Sequence, residues 1–285
     1  MRHEAETQAS ALPALLLAAE QLAATVQMGT HGRRRAGAGE EFWQYRPAQA
    51  GDSLRFVDWR RSARSDGQYI RDREWQQAQA LHLWVDGAAS MRFTGGADRP
   101  EKSARARVLA LALAVAAIRG GERVGLTGPL APARPGRAQL MTLAALLSGG
   151  DQAGDYGAPD TTGIATQARV VFASDFLGDP APVRDAVERL ADHGVTGVMV
   201  QVLDPLEEDF PFDGRTIFES VAGALRHETR QARDLRGRYR DRLAERRDLL
   251  VGLARQAGWQ FGTHRTDSPA QGAFLWLVAA LERGR

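Results

Sequence analysis

The chain has no cysteine. Disulfides, thiol nucleophiles, cysteine zinc sites and iron–sulfur ligation are therefore excluded. Lysine is almost as scarce: of 37 basic residues, Lys102 is the only lysine and the rest are arginine. Arginine keeps its charge at high pH, which reconciles a sequence pI near 9.4 with a net charge of only +2. The pI alone therefore makes no case for nucleic-acid binding. The histidines are scattered (His3, His31, His82, His193, His227 and His264), and no two lie four apart as a zinc-hydrolase helix requires. Long apolar runs are missing too. The best, Ala11 to Ala19, stops at Glu20 and is too short to span a bilayer. Glu4 and Glu6 stand where a secretory leader carries basic residues. These absences predict a cytoplasmic protein with no membrane partner.

What is present is the composition of a folded protein. The 285 residues are 44% hydrophobic and 25% charged, enough for a large core in one or two domains. Apolar residues at helical spacing predict a first helix over Ser10 to Met28, docked on the core. Thr30 to Glu41, with Arg33-Arg34-Arg35, reads as a solvated, mobile loop. Residues 42–79 are dense in aromatics and charge, and their expected place is packed against the core. Gln68 to Trp75 alternates as a strand polar on both faces, which suits a sheet edge or a partner surface better than a core.

From Leu81 onward, short apolar strands alternate with helices. Strands are expected at Leu81–Val85, Arg123–Thr127, Arg169–Ala173, Val195–Leu203 and Trp259–Thr263. Helices are expected at Glu101–Arg119, Gln139–Leu147, Pro180–His193, Arg226–Ala257 and Pro269–Leu281. This order predicts an α/β fold, a mainly parallel sheet with helices on both faces. The predicted division is an N-terminal region, 1–79, and an α/β domain, 80–285.

Four sets of residues could carry chemistry. Asp86 and Asp175 each follow an apolar strand, and Ser90 lies four residues beyond Asp86. In a parallel sheet ligands sit at the carboxyl ends of strands, and carboxylates with a hydroxyl suit magnesium or another divalent cation. From spacing alone, loop capping by Ser90 and Asp175 is the stronger reading. Gly96 to Ser103 resembles a phosphate loop, but Glu101 replaces its second glycine, so helix capping fits better and Lys102 is expected at the surface or in a loop contact. Asp52, Arg55, Asp58, Trp59, Arg60 and Arg64 read first as an ion-pair network over a packed Trp59, and second as a partner-docking surface. The arginines between Arg226 and Arg247 interleave with acidic residues. That pattern predicts a solvated helix with i, i+4 pairs and makes nucleic acid an unlikely partner.

Three stretches resemble the domain-of-unknown-function family 58: Arg46 to Arg60 with Ser62-Ala63-Arg64, then Asp86 to Met91, then Ala173 to Phe176. Asp204-Pro205…Glu207 and Phe210-Pro211-Phe212 also match that family's habit. The resemblance covers roughly residues 30–281. It implies a von Willebrand A-like core and frequent proximity to genes for MoxR-type AAA+ ATPases. Such cores commonly hold a divalent cation in a metal-ion-dependent adhesion site. Asp86, Ser90 and Asp175 match its ligands, while Ala88 replaces a ligating serine. The expected function is a non-catalytic adaptor for a protein partner, a MoxR-type ATPase among the candidates. The alternatives are magnesium-dependent phosphoryl transfer through Asp86 and Asp175, or nucleic-acid binding through the arginine helix.

Overall fold

The structure, a computed structural model, describes residues 2–25, 33–37, 41–47, 57–62, 69–77, 79–129, 131–149, 154–220, 223 and 226–283. The chain divides into two units, one of Met1–Gly29 with Ala80–Arg285 and the other of Thr30–Gln79.

The larger unit is built on five parallel strands: β4 (Ala80–Val85), β5 (Arg123–Leu126), β6 (Arg169–Ser174), β7 (Thr196–Leu203) and β10 (Gln260–Arg265). Their spatial order is β10-β7-β6-β4-β5. The expected α/β class with a mainly parallel sheet is borne out, and β4 and β6 are neighbours. Alternation along each strand sends side chains to two cores. Val171 and Ala173 of β6 join Leu81, Leu83, Val198 and Val200 on one face. Val170 and Phe172 join Trp84, Met199 and Trp259 on the other. Both faces are apolar because both are covered.

The first face carries α1 (Arg2–Ala23), α3 (Lys102–Arg119), α4 (Arg137–Gly149) and α8 (Ala270–Arg283). Helix α3 is buried almost all round from Leu109 to Ala117. Its alanines leave room for α1, whose Ala19 and Ala23 are fully buried against this core. The second face carries α5 (Ala181–Asp192) and α7 (Arg236–Gln256). There Phe172 meets both Trp84 and Trp259 edge-on, with ring centroids 5.4 Å apart. Short α6 (Pro205–Asp209) and the hairpin β8 (Thr216–Glu219) and β9 (Arg226–Thr229) follow β7.

The arginine segment departs from expectation. Arg226 lies in β9, and the helix begins only at Arg236. Three of its arginines reach backbone carbonyls of other segments instead of pairing along the helix. Arg236 donates to Phe210 O at 2.9 Å, Arg240 to Asp209 O at 2.6 Å and Arg246 to Gly178 O at 2.6 Å.

The smaller unit holds β1 (Arg33–Gly37), β2 (Glu41–Pro47), α2 (Trp59–Ser62) and β3 (Tyr69–Gln77). Its sheet is antiparallel with order β1-β3-β2, so β3 is central and not the edge strand its polarity suggested. Part of the expected mobile loop is β1, paired to β3 from Arg33↔Gln77 to Gly37↔Arg73. Trp59 is 58% exposed, so it does not pack beneath a network as expected, and Arg60 is exposed beside it. Asp58 accepts from the Ser62 hydroxyl at 2.8 Å through its carbonyl, while its N–H donates to Tyr69 O. Asp52, Arg55 and Arg64 lie outside the described residues.

On β10, His264 is buried, and its Nε2 accepts from Arg105 at 3.0 Å. Burial, with the Arg105 charge beside it, holds its pKa down to about 4. A base that binds its proton less readily when folded stabilises the fold above its ordinary pKa of 6.5, and that stability is lost as pH falls toward 4. At pH 5 the cost is about 2 kcal/mol relative to pH 7. Urea unfolding at both pH values should show this loss in the native chain and a smaller one in His264→Gln. Equal pH dependence in the two proteins would contradict the assignment.

Candidate functional site

A parallel sheet delivers all its strand ends to one edge. Here Asp86 follows β4, Asp175 follows β6 and Asp204 follows β7, on three adjacent strands. All three are buried.

Each carboxylate is held by specific donors. Asp86 Oδ1 accepts from the Ala88 N–H at 2.9 Å, and Oδ2 accepts from the Ser174 hydroxyl at 2.7 Å. The Gly157 N–H also bonds to Asp86. Burial raises the Asp86 pKa and the nearby Asp175 charge adds to the rise, against the hydrogen bond from Ser174. Asp175 Oδ1 accepts from the Leu177 N–H at 3.0 Å, and Oδ2 accepts from Lys102 Nζ at 2.9 Å. Phe176, between these groups, has φ of 51°. That left-handed conformation is unusual for a large side chain. It lets the next N–H turn back onto Asp175 while the Phe176 N–H bonds to Ser174 Oγ at 3.0 Å.

Lys102 does not lie at the surface or in a loop contact, as expected. Its side chain is fully buried. The ammonium also donates to Glu207 Oε1 at 2.5 Å and stands 5.8 Å from the centre of the Phe93 ring. Burial alone would lower its pKa, but the charges of Asp175 and Glu207 prevail and raise it above the ordinary 10.5. Glu207 Oε2 accepts from the Asp204 N–H at 2.9 Å, while Asp204 Oδ1 accepts from the Leu206 N–H, a capping box that starts α6. Burial pushes the Glu207 carboxyl up, against the pull of Lys102. Glu207 and Lys102 were not among the expected site residues. The signals for them were the Asp-Pro-x-Glu capping pattern and the single lysine in an arginine-rich chain.

The structure thus brings Asp86 and Asp175 together and adds Lys102 and Glu207. Ser90 stands apart: its N–H donates to Asp155 O at 2.9 Å, and its buried Oγ has no partner among the described residues. The cavity lined by Asp86, Ser174 and Asp175 has a volume of about 10 Å³, room for little more than one water. A divalent cation needs six or more oxygens. Here the carboxylate oxygens carry N–H, hydroxyl and ammonium donors, and Ala88 offers a methyl group. Among the described residues no three acidic or histidine side chains are grouped to hold a metal ion. The donor set does not fit a divalent cation.

Beside this cluster opens a groove of about 540 Å³, within the range of ligand sites. Phe93, Leu206, Phe210, Phe212, Phe218 and Tyr239 line it, with Ser90, Tyr156 and Glu207 on its walls. The Phe210 ring lies 4.7 Å from Tyr239 and 5.2 Å from Phe212. Burial pushes both the Tyr156 and the Tyr239 phenols up, so they stay neutral donors. The phosphate-loop-like Gly96–Ser103 stretch offers the groove no free lysine, because Lys102 is fully buried against Asp175 and Glu207.

The family described as "Protein of unknown function DUF58" matches residues 44–249. Uncharacterized proteins of Mycobacterium bovis and Mycobacterium tuberculosis are 27% identical over 291 aligned residues, covering 97% of this chain and 90% of theirs. Among solved structures, an aerotolerance-related membrane protein from Bacteroides fragilis matches with TM-score 0.40 and 13% identity, over 72% of this chain and 98% of that one. BatB, a conserved hypothetical protein from Bacteroides thetaiotaomicron, matches with TM-score 0.41 and 12% identity over the same shares.

The tightness of the Asp86 cluster is testable at Gly157. A methyl group there would lie 2.2 Å from Asp86 Oδ1. Gly157→Ala should cost about 1–3 kcal/mol in urea unfolding, as overpacking of a filled interior does. Gly237→Ala on α7, where an added methyl meets nothing within 4 Å, should be neutral or slightly stabilising. Equal stability of the two variants would mean that the loop is not packed against Asp86.

Proposed function

The chain belongs to the DUF58 family, and from that premise we propose that it is a non-catalytic protein-binding module. In this reading it works in the cytoplasm with a MoxR-type AAA+ ATPase in the assembly or maturation of another complex. The observation that carries the reading is the aromatic-lined groove at the carboxyl edge of the sheet. Aromatic side chains in a recess are the usual anchors of protein recognition. Asp86 and Asp175 next to it are engaged with Lys102, Ser174 and backbone N–H groups, which leaves neither poised as a general base or nucleophile.

The competing readings have less support. Phosphoryl transfer through Asp86 and Asp175 needs oxygens open to magnesium, and theirs are taken. Nucleic-acid binding through α7 needs an unbroken basic face, and the exposed Arg238 and Arg242 are interleaved with exposed Asp241, Glu245 and Asp248. Arg236, Arg240, Arg246 and Arg247 are spent on backbone carbonyls and on Gln201 and Glu208. No helix among the described residues is long and apolar enough to cross a membrane.

Calorimetry between the full chain and a MoxR-type AAA+ ATPase of the same organism tests the proposal. Binding should weaken at least tenfold, about 1.4 kcal/mol, in Phe212→Ala or Phe218→Ala. It should hold in Arg238→Ala, on the exposed side of α7. No binding, or magnesium-dependent hydrolysis of a phosphate ester lost in Asp86→Asn, would overturn it.

A further inference from the structure

We propose that Lys102 is the resident cation of the strand-end site. Its ammonium takes the charge-balancing role that a divalent ion fills in metal-ion-dependent adhesion sites, and it makes the site complete without metal. The implication for docking, that a partner binds here with no metal bridge, rests on the proposed binding role. The inference about the cation does not.

Three observations converge on it. The first is geometric. The ammonium bridges Asp175 Oδ2 at 2.9 Å and Glu207 Oε1 at 2.5 Å. The other oxygen of each carboxylate is held by a backbone N–H, from Leu177 and from Asp204. The ammonium therefore lies between the buried Asp175 carboxylate and the half-buried Glu207 carboxylate, which would otherwise have no cation between them. Like charges at that separation repel unless a cation or a proton intervenes.

The second is chemical. This chain uses arginine everywhere else, and its one lysine is at this position. A guanidinium is broad and planar, whereas an ammonium is a compact point charge on a thin stem. The compact ammonium suits a fully buried place between Asp175, Glu207 and the Phe93 ring. The third is the loss of a metal's own donors. Ala88 presents a methyl group, its N–H is spent on Asp86, and Ser90 Oγ contacts neither aspartate.

Removing the ammonium should open the site to hard cations. Lys102→Ala leaves Asp175 and Glu207 uncompensated and frees the volume of the lysine stem. Thermal unfolding of the full chain, without any partner, is the test. The native protein should show the same Tm with and without millimolar manganese or magnesium chloride. Lys102→Ala should unfold at lower temperature, and manganese should raise its Tm. Electron paramagnetic resonance should then count one bound manganese, and adding Glu207→Gln should abolish the rise. Should Lys102→Ala fail to fold in either condition, Lys102→Gln carries the test through the same manganese titration: one bound ion supports the proposal and none overturns it. A native protein that binds manganese and gains Tm overturns it too, as does a folded Lys102→Ala indifferent to cations. None of these outcomes depends on the ATPase, so this inference and the proposed function can fail separately.

Discussion

A fully buried ammonium, shared between Asp175 and Glu207, is the interaction on which the working edge of this protein depends. Parallel pairing places the ends of β4, β6 and β7 side by side, and the sequence puts an aspartate after each. Negative charge gathered in a dry place is costly unless balanced. Lys102 supplies the balance from the first turn of α3, so three distant segments are tied through one nitrogen. Breaking a buried pair by removing one partner typically costs about 3–5 kcal/mol, because the other charge is stranded. The capping box of α6 and the left-handed turn at Phe176 both deliver backbone N–H groups to the same carboxylates.

The second face contributes through its arginines. Helix α7 packs Leu250 and Leu253 into the core and turns Arg236, Arg240, Arg246 and Arg247 toward the loops at the sheet edge. The bonds from Arg236 and Arg246 hold loop carbonyls that follow α6 and β6, while Arg240 holds the last carbonyl of α6 and Arg247 the Gln201 side chain on β7. The loops in turn carry Phe210 and Phe212, so the shape of the groove is set by the same helix that supports the sheet. Phe210, with φ of 42°, is a further non-glycine residue in the left-handed region, at the end of α6. Strain of this kind concentrates where surrounding structure fixes a functional surface.

The α/β architecture was legible because it is written locally. Apolar alternation in Leu81-His82-Leu83-Trp84-Val85 and Val170-Val171-Phe172-Ala173 shows two buried faces, and β4 and β6 pair in parallel as that pattern requires. Asp86 and Asp175 were legible as strand ends for the same reason. What stayed hidden is long-range. Lys102 meets Asp175 and Glu207, 73 and 105 residues away. No periodicity reports such a contact, and at the head of an amphipathic helix a lysine ordinarily faces water. The arginines of α7 misled in the same way, since interleaved acids suggest pairs along the helix while the fold offers carbonyls across it. In the smaller unit, β3 was read as an edge because its side chains are polar, yet it is central to a three-stranded sheet.

Because Lys102 is the only lysine, its ammonium can be observed alone. Nuclear magnetic resonance of protein labelled at lysine Nζ gives one side-chain signal, which can be followed against pH and against added magnesium. A pKa raised by Asp175 and Glu207 means the pair's stabilisation persists below the ordinary 10.5 and is lost only as pH climbs through the higher folded value. The account predicts a signal that exchanges slowly with water, stays protonated beyond pH 10.5 and is unmoved by magnesium. A signal that titrates at or below the ordinary value, or that magnesium displaces, would contradict the claim that this lysine is the cation of the site.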